Sequence, residues 1–272
     1  MTIEVLEPHG FCAGVTNALR KARTLLHPKK AVYCLHELVH NELVVASLKA
    51  KGMVFVESLA EVPEGATVLF SAHGVSPSVR AEAEARNLKV VDATCPFVAR
   101  VHKSAVAFAS RGLQVVVIGH RDHAEVKGIV GEVPGSVVVE GSSPQHLAAL
   151  SRTLPLGVVS QTTMNADDVE MLVEGLRESF DVESVAEVCR ATKERQDAVK
   201  AFDGDALLVL GSANSSNTRR LCEVARCRTF RAGTLEEVRA LDFTGVERLG
   251  VTSGASTPED FFNAVICELE GE

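Results

Sequence analysis

Cys95, in Asp92-Ala93-Thr94-Cys95-Pro96, stands between a short apolar run, Leu88 to Val91, and a segment with apolar residues at Val98, Val101, Ala105 and Phe108. This pattern predicts a strand, a turn at the cysteine and a helix starting at Pro96, where a missing N–H costs nothing. A thiol facing the positive end of a helix dipole is favoured as the thiolate, the form that binds metals and attacks electrophiles. Two more cysteines repeat the setting. Cys12 lies between the alternating run Ile3 to Leu6 and a helical segment Val15 to Leu26, and Cys189 lies between a weaker strand, Val182 to Val188, and a helical segment Arg190 to Phe202. The three are much farther apart in sequence than the ligands of zinc fingers or bacterial ferredoxins, so a shared centre requires the fold to gather them. Of the other four cysteines, Cys34 in the run Ala31 to Leu35 and Cys267 on the apolar side of the last helix are expected in the core. Cys222 and Cys227 read as small buried hydrophobes rather than a metal pair.

The elements that must position these thiols alternate strand and helix through all 272 residues, which predicts an α/β fold with largely parallel strands. Strands are expected at Ala31 to Leu35, Met53 to Val56, Val68 to Phe70, Gln114 to Ile118, Val137 to Val139 and Gly157 to Val159, then at Ala206 to Leu210, Arg228 to Phe230 and Arg248 to Val251. Helices are expected between them, including Pro77 to Arg86, Ala124 to Val130, Pro144 to Leu150 and Ser216 to Ala225. Small polar residues or histidines follow two strands in each third. The first such site falls 28, 28 and 26 residues beyond Cys12, Cys95 and Cys189, at His40, His123 and Ser215. The second falls 61, 67 and 67 residues beyond them, at His73, Thr162 and Ser256. The phasing predicts an internal repeat with lobes 1–94, 95–188 and 189–272, pseudo-symmetric about a central cavity. Ligands of open α/β sheets bind at the carboxyl ends of strands, where these polar turns lie.

Bulk properties narrow the function. A net charge of −8, no Trp and one Tyr leave neither the basic footprint nor the stacking platform of a nucleic-acid binder. No apolar run reaches membrane-spanning length, and the N-terminus lacks the features of a signal peptide, so a cytoplasmic protein with no membrane association is expected. Seven cysteines in that setting argue for reduced thiols or metal ligands rather than disulfides. Walker A and Gly-x-Gly-x-x-Gly patterns are absent.

Three cysteines suit a zinc ion with one open position or a four-iron cluster with one iron free of protein ligands. Ser, Asn, Thr and His at helix starts suit phosphate oxygens. Each motif also has a plainer explanation. Ser, Thr and Asn at helix starts serve as N-caps, and His9, His27, His36, His102 and His146 are taken as structural. His120-x-x-His123-x-Glu125 also suits a hydrolytic metal site, and an iron-sulfur sensor or electron carrier is a third, non-enzymatic reading.

At these residues the sequence resembles the 4-hydroxy-3-methylbut-2-enyl diphosphate reductase (LytB-type) family. The resemblance runs through Gly-Phe-Cys-Ala-Gly-Val at 10 to 15, Val-His-Asn at 39 to 41, Ser-Ala-His-Gly-Val at 71 to 75 and Asp-Ala-Thr-Cys-Pro at 92 to 96. It continues through Gly-His-x-x-His-x-Glu-Val at 119 to 126, Gln-Thr-Thr at 161 to 163, Cys-x-Ala-Thr-x-x-Arg-Gln at 189 to 196, Asn-Ser-Ser-Asn at 214 to 217 and Gly-Ala-Ser-Thr-Pro at 254 to 258.

The resemblance implies three α/β lobes around one 4Fe-4S cluster held by Cys12, Cys95 and Cys189, with one iron lacking a protein ligand. It implies that His40, His73, His123, Thr162, Ser215, Ser216, Asn217 and Ser256 bind an allylic diphosphate. Glu125 would supply a proton and Thr162 would orient the substrate hydroxyl. The implied reaction is the reductive dehydroxylation that yields isopentenyl and dimethylallyl diphosphates, the last step of the methylerythritol phosphate route to isoprenoids. The chain shows no flavin or nicotinamide motif, so the electron donor is expected to be a separate ferredoxin- or flavodoxin-type protein, with the reductase itself a monomer.

Overall fold

A computed structural model describes residues 1–27, 30–141, 148–186 and 188–271. The chain divides into two compact units, one of Met1–Thr16, Val39–Leu48 and Arg190–Glu272, the other of Asn17–Leu38 and Lys49–Cys189. Among the described residues, twelve strands form three four-stranded sheets in which every pairing is parallel. The α/β class expected from the sequence is therefore observed. The helix expected over Pro144 to Leu150, and His146 within it, lie outside the described residues.

The second unit holds two sheets. One is ordered Lys89–Asp92 (β5), Thr67–Phe70 (β4), Val32–Leu35 (β2) and Met53–Val56 (β3). The other is ordered Val182–Ser184 (β9), Leu156–Ser160 (β8), Gln114–Ile118 (β6) and Val137–Val139 (β7). The inner strands are β-branched and aliphatic because helices cover both faces. Leu156, Val158 and Val159 in β8 are wholly inaccessible, as are Val116, Val117 and Ile118 in β6. The helix Pro96–Ser110 lays Val101, Ala105 and Phe108 on this sheet beside Val126 and Ile129 of the helix Ala124–Glu132. Each such buried Val, Ile, Leu or Phe side chain contributes about 1.5–3 kcal/mol. Two of the four edge strands carry charges, Lys89 and Asp92 in β5 and Glu183 in β9, which discourages pairing with another chain there.

The first unit holds one sheet, ordered Thr2–Val5 (β1), Arg248–Ser253 (β12), Ala206–Leu210 (β10) and Arg228–Ala232 (β11). All five residues of β10 are buried on both faces. By sequence β1 falls within the 1–94 range expected for a first lobe, but by pairing it is the edge of the sheet built from the last third of the chain. The reason is topological. In each sheet the edge strand beside the second polar turn leads into a cysteine, β5 into Cys95, β9 into Cys189 and β1 into Cys12. Each cysteine thus closes one sheet and opens the next stretch of chain, and the repeat runs cyclically through the N-terminus.

The helix Glu259–Glu270 buries Phe261, Phe262 and Val265. Cys267 lies off that stripe and is exposed, which corrects the expectation that it is a core residue. No helix among the described residues is long and apolar enough to cross a membrane.

Candidate active site

The cysteines at 12, 95 and 189 share one local geometry. The Cys12 N–H donates to Ala255 O at 3.1 Å, Cys95 N–H to Ala72 O at 2.9 Å and Cys189 N–H to Thr162 O at 3.0 Å. Each acceptor belongs to a polar turn after an inner strand, so the cysteine turn is fastened beside the predicted polar residues. Helices then start at Ala13, Pro96 and Arg190, which leaves each thiol at a helix N-terminus and partly exposed. Three of the other thiols, Cys34 buried and Cys222 and Cys227 partly buried, are unlike them. Burial pushes Cys34 up to about 12 and Cys222 up to about 11, and it also raises Cys227, so all three stay protonated. Cys222 and Cys227 pack against Leu6, Val199 and Leu221, as small hydrophobes do.

The donor set at Cys12, Cys95 and Cys189, soft thiols at helix starts, fits an iron-sulfur cluster. Among the described residues, no group of three His, Cys, Asp or Glu side chains is arranged around a single ion. Cluster thiolates each bind a different iron and have no need of that arrangement. The alternative hydrolytic site at His120, His123 and Glu125 does need it, and both Glu125 oxygens are already engaged elsewhere.

In the second unit Glu125 is 2% exposed, at the start of the helix Ala124–Glu132. Thr162 N–H donates to its Oε1 at 2.7 Å and the Thr162 hydroxyl to its Oε2 at 3.1 Å. Desolvation pushes the carboxyl up from 4.5 to about 7, and the two Thr162 bonds oppose that rise without cancelling it. His123 is the N-cap, its Nδ1 accepting from Glu125 N–H at 3.2 Å. The rings of His123 and His73 meet edge to face at 5.7 Å between centroids. Thus His73, His123, Glu125 and Thr162, from three different turns, form one group, with Cys189 fastened to Thr162.

In the first unit Ser215 caps the helix Ser216–Val224, its Oγ accepting from Thr218 N–H at 3.2 Å. The plain capping explanation therefore holds for Ser215. It does not hold for Asn217, whose Oδ1 and Nδ2 are both buried without a hydrogen-bond partner among the described residues. Ser256 Oγ donates to His40 O at 3.0 Å, tying two predicted residues together. Sequence reasoning did not single out Arg195, which is 3% exposed and whose Nη2 donates to Gly10 O at 2.8 Å, holding the backbone that leads into Cys12. The signal was present in the run Cys189-x-Ala191-Thr192-x-x-Arg195-Gln196, where a charge falls on the buried face of a helix.

Fold and local geometry together define a parallel α/β protein that carries helix-start thiols, neutral donors and one protonatable carboxyl at the carboxyl ends of its strands. The chain belongs to the LytB protein family, whose model matches residues 3–270. It is 42% identical over 280 residues to the 4-hydroxy-3-methylbut-2-enyl diphosphate reductase of Dechloromonas aromatica, covering 99% of this chain and 92% of that one. It is 43% identical over 284 residues to the enzyme of the same name from Roseobacter denitrificans, covering 99% and 89%. The structure of the E-1-hydroxy-2-methyl-but-2-enyl-4-diphosphate reductase from Plasmodium falciparum matches with a TM-score of 0.92 at 31% identity, over 98% of this chain and 87% of that one. A solved (E)-4-hydroxy-3-methyl-but-2-enyl diphosphate reductase, described as the terminal enzyme of the non-mevalonate pathway, matches with a TM-score of 0.72 at 32% identity over the full length of both.

Proposed function

We infer that this chain is a 4-hydroxy-3-methylbut-2-enyl diphosphate reductase, the oxidoreductase that ends the non-mevalonate route to isoprenoids. Two electrons and two protons remove the allylic hydroxyl as water and leave isopentenyl or dimethylallyl diphosphate. The observation that carries this reading is Glu125, a dry carboxyl pushed up to about 7, with both oxygens on Thr162, in a chain that matches the family from end to end. The family uses an iron-sulfur cluster. Cys12, Cys95 and Cys189 would hold one 4Fe-4S cluster per chain, with one iron lacking a protein ligand, and when bound it supplies the electrons.

The chain's own residues do the rest. Near neutral pH Glu125 keeps a proton that an exposed carboxyl would have lost. With that proton on Oε2, Thr162 Oγ1 can turn from donor to acceptor, which frees its hydroxyl proton to meet the substrate hydroxyl. His40, His73, Ser215, Ser216, Asn217 and Ser256 would hold the diphosphate, with His123 beside His73. The unpaired Asn217 amide supports this, because a buried amide keeps such a cost when a ligand relieves it. A ferredoxin- or flavodoxin-type protein would bring the electrons, to a monomer in the cytoplasm. Anaerobic single-turnover conversion of the allylic diphosphate by chemically reduced, iron-loaded protein tests the function, and absence of both products would refute it.

A further inference from the structure

The helix Pro96–Ser110 carries a buried histidine for which the proposed reaction has no use. His102 is 5% exposed, and its Nδ1 lies 3.1 Å from Glu132 Oε1. The same oxygen accepts from Arg80 Nη1 at 2.8 Å. Burial alone would raise the Glu132 carboxyl, but the bonds from His102 and Arg80 outweigh it and hold the group below the usual range. The ring is therefore gripped along its Nδ1 edge by an ionised carboxylate.

Its opposite edge fills a slot between two glycines. A Cβ on Gly74 would stand 3.1 Å from His102 Nε2, and one on Gly128 would stand 3.0 Å from His102 Cε1. Gly74, at φ +78°, also holds a backbone conformation that other residues rarely adopt. Gly74 directly follows His73, and Gly128 lies about one turn beyond Glu125 on the same helix. One ring thus sets the gap between the turn that presents His73 and the helix that presents His123 and Glu125. Packing alone does not account for a histidine here. Its Nε2 is buried with no partner among the described residues, and an apolar side chain would fill the slot without that cost.

We propose that His102 is a positioning residue for the proton-delivering side of the site, a wedge that fixes the separation of His73 from Glu125 and His123. The proposal rests on Glu125 being the proton donor. Nothing in it requires His102 to touch substrate.

The test uses iron-loaded His102→Ala, His102→Gln, Gly128→Ala and Glu125→Gln proteins, with iron content, kcat, KM and the pH midpoint of turnover measured on each. His102→Ala is expected to keep its iron while kcat falls about 10- to 100-fold, the penalty for displacing a catalytic group by about 1 Å. The pH midpoint should move with it, because the Glu125 environment changes. In His102→Gln an amide can keep the bond to Glu132 and fill most of the slot, so kcat should recover to within about threefold of the parent. Gly128→Ala leaves the histidine intact but pushes its ring, and should reproduce the kcat loss.

A lower melting temperature for His102→Ala with kcat, KM and pH midpoint unchanged would make His102 a packing residue and overturn the proposal. If that variant fails to assemble, Gly128→Ala decides the matter: lost kcat with a moved pH midpoint at full iron content supports the wedge, and unchanged kcat overturns it. Glu125→Gln separates the two layers of inference. Retained turnover there removes the proton-donor reading itself, whereas lost turnover beside unaffected His102 and Gly128 variants removes only the wedge.

Discussion

The two compact units build the same kind of strand end and fill it with different chemistry. Both fasten a cysteine turn to a polar turn through a backbone hydrogen bond. In the unit containing Arg190–Glu272 the turns carry buried neutral groups, Ser212, Ser215, Ser216, Asn217, Ser253 and Ser256, and no buried carboxylate among the described residues. In the unit containing Lys49–Cys189 the corresponding turns carry His73, His123 and Glu125, the last being the one buried carboxylate among the described residues. A carboxylate among the neutral donors would repel a diphosphate, and a neutral donor in place of Glu125 would have no proton to give. On the proposed reading Asn217 serves to hold the anion and Glu125 to deliver the proton, so variants at the two should fail in different ways.

The largest effect is expected at the three proposed cluster ligands. Replacing Cys12, Cys95 or Cys189 with Ser should remove most bound iron and all measurable turnover. Ala at Cys34, Cys222, Cys227 or Cys267 should leave both in place. Iron and sulfide analysis of the seven variants checks this, and iron loss on changing Cys222 or Cys227 would refute the ligand assignment. Next comes Glu125→Gln, a nearly isosteric change. Turnover should fall about 10²- to 10⁴-fold, the usual range for a lost general acid, with iron content and substrate affinity retained. Lost affinity instead would mean that Glu125 also serves in holding the substrate.

The raised Glu125 carboxyl also links stability to pH. Below about pH 4.5 it is protonated in the folded and unfolded chain alike and contributes no difference. Between that pH and about 7 the folded chain keeps the proton that the unfolded chain releases, so stability falls as pH rises. The full loss, reached above the folded value, is about 3 kcal/mol. Glu125→Gln has no such titration, so its melting temperature should gain on the parent's as pH rises from about 4 to about 8, a range that spans both pKa values. Parallel melting curves across that range would contradict a buried, proton-holding Glu125. The parent's turnover should also decline above about pH 7 as the acid form is lost.

Much of this division was legible in the sequence, and the exceptions have physical causes. Strands such as Gln114–Ile118 and Ala206–Leu210 match their expected limits, because unbroken β-branched or aliphatic runs bounded by Gly or polar residues leave no other choice. The cysteine turns and polar strand ends were readable because local propensity and phasing agree there. The partner of β1 was not readable. Parallel strands need no hairpin, so no local signal ties Thr2–Val5 to Arg248–Ser253. The short 3₁₀ turn Leu59–Glu61 was missed although Ser58 and Glu61 form a capping box, a signal that was present in the sequence. Side-chain pairing was the least legible layer. Glu125 stood out as a carboxylate at a helix start, but its two bonds to Thr162 join turns far apart in sequence, and so does the His102 slot between Gly74 and Gly128.

The smallest expected effect falls on the neutral side, at Asn217. It is the second residue of the helix Ser216–Val224, and Ser215 already supplies the cap, so the amide is not needed to start the helix. Both of its polar atoms are buried and unpaired among the described residues, an arrangement that costs about 1–3 kcal/mol in the ligand-free protein. A hydrogen bond to a charged phosphate oxygen would recover about 1.5–3 kcal/mol, roughly ten- to 150-fold in affinity. Asn217→Ala should therefore weaken substrate binding by that factor while leaving kcat near the parent value and the melting temperature no lower, since relief of the unpaired amide offsets the lost packing. A residue serving the fold alone would give the reverse, a lower melting temperature at unchanged affinity. Substrate titration followed by the cluster spectrum, beside a melting curve of the same preparation, distinguishes the two, and the reverse pattern would remove Asn217 from the diphosphate site.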